Sequence, residues 1–301
     1  MENDEISNKF KIITSLVAGG LSGALAKTAI APLDRTKIHF QITPFKQYSL
    51  KGAIRFIIVS LETHGALSLW RGNSATMVRI VPYAAVQFSA HEQWKLFLRV
   101  DDNNINKDKL KRFIAGSLAG VTAQTCTYPL DLTRACMAVT HRKEYSSLRK
   151  IFSRIFKQKG VIGMYRGYIP TILGSIPYSG TSFFVYETLK LKYTNFQKKS
   201  LNPIERMACG AIAGMAGQSS SYPLDIIRRR MQTAVVHGNE HLYPTIAKTV
   251  LKIYRDEGII KGFYKGLSMN WIKGPIAVGI SFTTYDTAEN FLRNIPVLKN
   301  R

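Results

Sequence analysis

Acid is scarce in this 301-residue chain: 19 Asp and Glu stand against 42 Lys and Arg, a formal charge of +23. An excess of that size implies an anionic partner, whether nucleic acid, phosphate or lipid headgroups. Cysteine is almost absent. Cys126, Cys136 and Cys209 are an odd number with no C-x-x-C pair, which excludes a disulfide framework and a zinc site. The histidines are scattered (His39, His64, His91, His141, His237, His241) and show no metal-ligand spacing. There is no P-loop lysine motif, no G-x-S-x-G elbow and no EF-hand loop. Neither an enzyme nor a cofactor-binding protein is therefore expected. The stretch Met1–Phe10 carries Glu2, Asp4 and Glu5, unlike an Arg-rich transit peptide, so no cleavable presequence is expected.

Apolar residues make up 46% of the chain, which excludes a disordered one. The mean hydropathy of −0.05 conceals segregation. Six stretches of 18 to 22 residues hold at most one charge each: Ile12–Leu33 (Lys27), Asn73–Ala90 (Arg79), Phe113–Leu130, Tyr168–Tyr186, Met207–Leu224 and Leu267–Tyr285 (Lys273). A bilayer core needs roughly 20 mostly apolar residues per helix. Densely basic runs lie between the stretches, including Lys107–Arg112, Arg149–Lys159, Lys190–Lys199 and Arg228–Arg230. The alternative is a basic soluble helical protein that binds nucleic acid.

Repeats favour the membrane reading. Pro-Leu-Asp-x-x-(Lys/Arg) begins at Pro32, Pro129 and Pro223, 97 and 94 residues apart. Glycines keep step thirteen and nine residues earlier, as Gly19/Gly23, Gly116/Gly120 and Gly210/Gly214. Each pair is a G-x-x-x-G that lets helices pack closely in lipid. Tyr48, Tyr145 and Tyr243 follow, then the aromatic-basic-glycine triplets ending at Gly72, Gly167 and Gly266. The chain thus divides into copies at 10–105, 106–200 and 201–296. Each copy is an apolar helix, a basic loop with a short amphipathic helix, and a second apolar helix. Two spans per copy give all copies one orientation, with pseudo-three-fold symmetry and a binding site near mid-membrane.

Within each proline motif, acid and base three residues apart share one helix face. They can pair along their own helix or between helices; intrahelical pairing does not require the proline in every copy. Arg79 and Lys273 lie seven residues after Gly72 and Gly266, and Gly174 holds the same position after Gly167. These three should ring the axis at one depth. Lys27 has Gln124 and Gln218 as equivalents, a second polar ring. Charges at this depth are costly and usually functional, and all three are cations, which suits a polyanion.

The triple P-x-(D/E)-x-x-(K/R) on a six-span chain of this length resembles the mitochondrial carrier family, over residues 10 to 293. The resemblance implies an all-α, six-span membrane protein with short matrix-side amphipathic helices. It further implies a monomer in the mitochondrial inner membrane that works by alternating access. It implies a matrix gate of Asp34–Arg134, Asp131–Arg228 and Asp225–Lys37, braced by Gln41 and Gln232, with Ala138 where a third brace would stand. A cytoplasmic gate would comprise Glu92, Lys95, Glu187, Lys190, Asp286 and Glu289. Its pairs would be Glu92–Lys190 and Asp286–Lys95, with Glu187 against Glu289 as a like-charge contact. The matrix-loop acid before glycine is replaced by His64 and Lys159 and kept only at Glu257, a departure expected to affect local helix capping.

The resemblance also implies a substrate. Lys27, Arg79, Gly174, Ser175, Tyr178, Ser221 and Lys273 fall on positions that contact phosphates and adenine in adenine-nucleotide carriers. Trp70–Arg79 and Gly274–Phe282 look like the subgroup that includes coenzyme A and ATP-Mg/phosphate carriers, and Met137–Thr140 and Ser221–Thr233 look closest to carriers of coenzyme A and adenosine 3′,5′-diphosphate. Another adenine-nucleotide carrier, of ADP/ATP or ATP-Mg/phosphate type, is the alternative within the family. Gly72, Gly167 and Gly266 with their neighbouring bases are expected at anionic lipid headgroups, cardiolipin by resemblance.

Overall fold

The computed structural model describes residues 2–44, 48–100, 108–140, 147–197 and 201–293, and those residues form α-helices and short helical turns with no strand. The proline-bearing helices are α1 (Glu2–Ile42), α4 (Lys109–Val139) and α7 (Pro203–His237). Their counterparts are α3 (Asn73–Phe97), α6 (Tyr168–Gln197) and α9 (Leu267–Arg293); counted among these six long helices, the proline-bearing ones are the odd helices and their counterparts the even ones. Between them lie α2 (Leu50–His64), α5 (Leu148–Met164) and α8 (Ile246–Glu257). The expected copy boundaries near 105 and 200, the end at 296, and Tyr145 all fall on residues outside the described ones.

The short helices start alike. Ser49, Ser147 and Thr245 each accept a hydrogen bond from the backbone N–H three residues on, which satisfies a donor the helix leaves free. Gly65, Gly160 and Gly258, all at positive φ, interrupt or end them. At the start of α7, Asn202 and Glu205 form a capping box.

Packing is strongest between copies rather than within them: α3 lies along α4, α6 along α7 and α9 along α1. The odd helices α1, α4 and α7 also touch one another. The core is gathered at the end below the prolines. Around α4 it holds Tyr128, Leu132, Cys136, Ile151 and Ile155; around α7, Tyr222, Ile226, Met231, Ile253 and Phe263; around α1, Phe40 and Met269. The other end encloses a cavity.

Mean hydropathy understates these helices, and one expectation needs revision. Among the described residues no helix is long and apolar enough to cross a membrane by hydropathy alone. Inward stripes such as Gln124, Thr127, Asp131 and Arg134 on α4 lower the average. The outward faces remain apolar, as Val17, Leu21 and Leu25 on α1 and Val78, Val81 and Phe88 on α3 are all exposed. The G-x-x-x-G glycines, expected at close helix contacts, are not at any. A Cβ built on Gly19, Gly23, Gly120, Gly210 or Gly214 meets nothing within 4 Å, and one on Gly116 only His91 at 3.9 Å. The odd helices are splayed at that end. The close approach is at Gly217, where a Cβ would clash with the Tyr178 carbonyl and the Ser182 side chain across the α6–α7 crossing.

Candidate functional site

A proline cannot bond to the carbonyl four residues back, so each odd helix leaves an acceptor exposed in its interior. Two of these carbonyls are met by triplet aromatics. Trp70 Nε1 donates to Thr28 O at 2.8 Å, and Tyr165 OH to Thr125 O at 3.2 Å. The triplet bases were expected at lipid headgroups. They instead hold the carbonyl ends of the next odd helix: Arg71 to Met137 O at 3.4 Å, Arg166 to Met231 O at 2.9 Å, and Lys265 to Thr43 O at 3.0 Å. Carbonyls at a helix C-terminus attract cations, and burial strengthens the attraction. Each triplet thus fastens its copy to the next. Gly72 and Gly167 sit at positive φ, and a Cβ there would press on Arg134 O at 2.9 Å or Arg228 O at 3.1 Å.

Just above this ring, all three expected cross-helix pairs are formed. Arg134 Nη2 is 2.6 Å from Asp34 Oδ2, Lys37 Nζ is 2.7 Å from Asp225 Oδ2, and Arg228 pairs with Asp131. Gln41 donates to Asp225 and to Tyr222 OH, both at 3.2 Å. Gln232 donates to Asp131 at 3.2 Å and to Tyr128 OH at 2.9 Å. Where the third glutamine would stand, the Ala138 carbonyl accepts from Arg35 at 3.2 Å.

Each carboxylate also has a second cation that spacing within the motif did not reveal. Lys273 Nζ is 2.8 Å from Asp34 Oδ1, Arg79 Nη1 is 3.6 Å from Asp131 Oδ1, and Arg229 Nε is 4.0 Å from Asp225 Oδ1. Lys273 and Arg79 therefore contact the gate carboxylates, a partnership the sequence reading had not assigned them. They do so by the same rule, each reaching from an even helix to the next odd one. Gly174 holds that position on α6, and Arg229 compensates from α7 itself.

Above the carboxylates lies a cavity of about 1040 Å³, walled by α4, α6 and α7. It runs from Arg112 and Phe113 down to Asp225 and Arg228. Gly174, Ser175, Tyr178 and Ser221 line it; Lys27, Arg79 and Lys273 do not. Arg79 stands just behind the wall. It donates to Gln124 Oε1 at 2.6 Å and Thr127 Oγ1 at 3.3 Å, and lies 4.9 Å from the Tyr83 ring centre; Gln124 and Tyr83 both face the cavity. Lys27 is exposed.

At the far ends of the even helices, the expected cross-helix pairs Glu92–Lys190 and Asp286–Lys95 are not formed among the described residues. Lys95 and Lys190 lie 3.5 Å from Glu92 and Glu187 of their own helices. This is the end at which a Cβ on Gly19, Gly23, Gly120, Gly210 or Gly214 meets no neighbour within 4 Å. Asp286 and Glu289 lie on α9 one turn apart.

A buried cluster below the ring was missed. Arg230 Nη1 is 2.5 Å from Glu257 Oε1, with side-chain exposures of 2% and 4%, and Lys265 pairs with the other oxygen. Arg230 Nε also donates to Gln41 O at 3.1 Å. Glu257 thus ties α8 and the third triplet to α7 and α1, which is more than the local capping expected of it. In copy two, Lys159 crosses to Glu240 at 2.9 Å instead.

The sequence model of the family described as Mitochondrial carrier protein matches residues 8–102, 106–197 and 199–296. The mitochondrial coenzyme A transporter SLC25A42 of Homo sapiens is 54% identical over 291 residues, which cover 95% of this chain and 90% of that protein. Its counterpart in Danio rerio is 52% identical over 290 residues, 95% of this chain and 89% of that protein. The mitochondrial adenyl nucleotide antiporter SLC25A24 of Mus musculus is 38% identical over 281 residues, 92% of this chain and 58% of that protein.

Proposed function

The chain belongs to the mitochondrial carrier family, and from that premise we propose that it is an inner-membrane antiporter exchanging coenzyme A for adenine nucleotides such as adenosine 3′,5′-diphosphate or ADP. The observation that carries this reading is the double occupancy of Asp34 and Asp131. Lys273 and Arg79 reach those carboxylates from outside the cavity lining, and in this reading they turn from carboxylate to phosphate by a change of side-chain rotamer. A phosphate contact of this kind contributes about 1.5–3 kcal/mol. Lys27, one ring higher, adds a third cation for a second phosphate group. Gly174, Ser175, Tyr178 and Ser221 form the wall against which an adenine lies.

The conformation is closed below the prolines and splayed above. In the alternating-access scheme Asp34–Arg134, Asp131–Arg228 and Asp225–Lys37 are the closed matrix gate, braced by Gln41 and Gln232. Glu92, Lys95, Glu187, Lys190, Asp286 and Glu289 belong to the open cytoplasmic one. Phosphate that draws Lys273 and Arg79 away from Asp34 and Asp131 weakens the closed gate, so substrate binding lowers the cost of switching. The backbone N–H groups that begin the even helices after Gly72, Gly167 and Gly266 suit the phosphates of cardiolipin.

Exchange in proteoliposomes tests the reading, with coenzyme A outside and coenzyme A, ADP or adenosine 3′,5′-diphosphate inside. Saturable exchange of coenzyme A for either nucleotide is expected. Efficient uptake of an unrelated dicarboxylate, with none of coenzyme A, overturns it.

A further inference from the structure

At the junction of the first and second copies, Arg79 on α3 donates to the Gln124 amide oxygen on α4 at 2.6 Å. The three-fold repeat places Gly174 and Gln218 in the same relation at the junction of the second and third. There the cation is gone. The Gln218 amide makes no hydrogen bond among the described residues, and its oxygen is buried without a donor. Buried acceptors of this kind are rare in native structures and call for an explanation.

The surroundings supply one. Gln218 and Gly174 both line the large cavity, together with Ser175, Tyr178 and Ser221. Gly217, next in the chain, sits at the tightest point of the α6–α7 crossing, against the Tyr178 carbonyl. Ser221 Oγ donates to the Gln218 carbonyl at 3.3 Å, which puts Ser221 and Gln218 on one face of α7. A planar guanidinium meets the amide at the first junction. At the second, Gly174 offers no side chain, its Cβ direction ends 3.5 Å from Leu224 Cβ, and the Gln218 amide is uncommitted.

We infer that Gln218 reads the edge of the adenine base, its amide taking the exocyclic amine as donor and a ring nitrogen as acceptor. This rests on the proposed substrate class and names the residue that selects the base within it. A glutamine amide matches adenine through two parallel hydrogen bonds. On that N6/N7 edge hypoxanthine has a carbonyl where adenine has the amine, so it presents two acceptors and can make only one of those bonds. The structure thus assigns base selection to a residue that touches neither the phosphates nor the gate carboxylates.

The test compares ADP with inosine diphosphate, identical in charge and sugar, as competitors for exchange in proteoliposomes. The parent protein should favour ADP tenfold or more, the range of one good bidentate contact. Gln218→Leu removes both bonds to adenine and the single bond to hypoxanthine, so it should lower the affinity for ADP more than that for inosine diphosphate and bring the two together; residual inosine diphosphate exchange establishes that the variant is folded. Gly174→Arg recreates the Arg79–Gln124 pair at Gln218 and should also level the two nucleotides, which covers the case in which the leucine variant fails to insert. A parent without preference, or a preference that survives either variant, overturns the inference while the substrate class stands. A parent that exchanges neither coenzyme A nor any nucleotide overturns the substrate class itself.

Discussion

Lys273 on α9 lies 2.8 Å from Asp34 on α1, on the carboxylate oxygen that Arg134 leaves free. One carboxylate thus holds two helices from two other copies. The same geometry recurs at Asp131 with Arg228 and Arg79. Of these four cations, Arg228 also lines the cavity, while Arg79 and Lys273 stand outside its lining.

The first consequence is a loss of transport on charge reversal. Asp131→Arg should abolish exchange, because Arg228 and Arg79 then face a third cation. Adding Arg228→Asp should restore part of the activity. Recovery stays incomplete, since Arg79 and Gln232 also point at position 131. The check is exchange in proteoliposomes with both variants shown to be inserted; a double variant as inactive as the single would count against the pairing.

Removing one of the second cations, Arg79 or Lys273, should affect both binding and resting stability. Arg79→Ala or Lys273→Ala should weaken coenzyme A binding roughly ten- to hundredfold. ADP, with fewer phosphates, should lose less. Both variants should also melt at lower temperature without substrate, because Asp131 or Asp34 is left with one cation. Unimpaired coenzyme A uptake in both would remove these residues from the site.

Below the gate, Glu257 is buried between Arg230 and Lys265. Glu257→Ala leaves two buried cations without a counter-charge, which costs about 3–5 kcal/mol. Thermal unfolding in detergent should show a large drop in midpoint, and Glu257→Gln a smaller one. Wild-type melting in the alanine variant would mean that water already reaches the cluster.

At the splayed end, Glu289→Lys supplies a base in place of the acid expected opposite Glu187. It should favour the conformer closed at that end and change the exchange rate more than substrate choice, since a gate biases populations. Unchanged rate and unchanged conformer distribution would mean that the two residues do not meet.

Much of this was legible because the copies annotate one another. Three prolines with acid and base at fixed offsets marked the candidates, the family resemblance implied which of them pair across helices, and the pairs are there. What a copy does alone was harder to see. The second cations escaped because Lys273 and Arg79 lie some 240 and 50 residues from their carboxylates, and no offset within one motif relates them. The carbonyl partners of the triplet aromatics and bases escaped because they lie on, or at the end of, other helices, 40 to 222 residues away. The G-x-x-x-G glycines were assigned to contacts that this conformation does not make. Small size permits a contact, and whether it forms depends on how far the helices stand apart.

Those glycines bear on more than packing. Gly120 and Gly214 have open space where a side chain would begin, so Gly120→Leu or Gly214→Leu costs the splayed shape little. A bundle that must also draw its odd helices together at this end meets them as a wedge. Exchange should fall sharply in these variants while melting temperature holds, and accessibility of engineered cysteines should show one shape only. The chain is then a solution to two packing problems written in one set of residues. Neither shape can be made as stable as a protein with a single shape to satisfy, because every contact added to one deepens a trap from which the other must be reached.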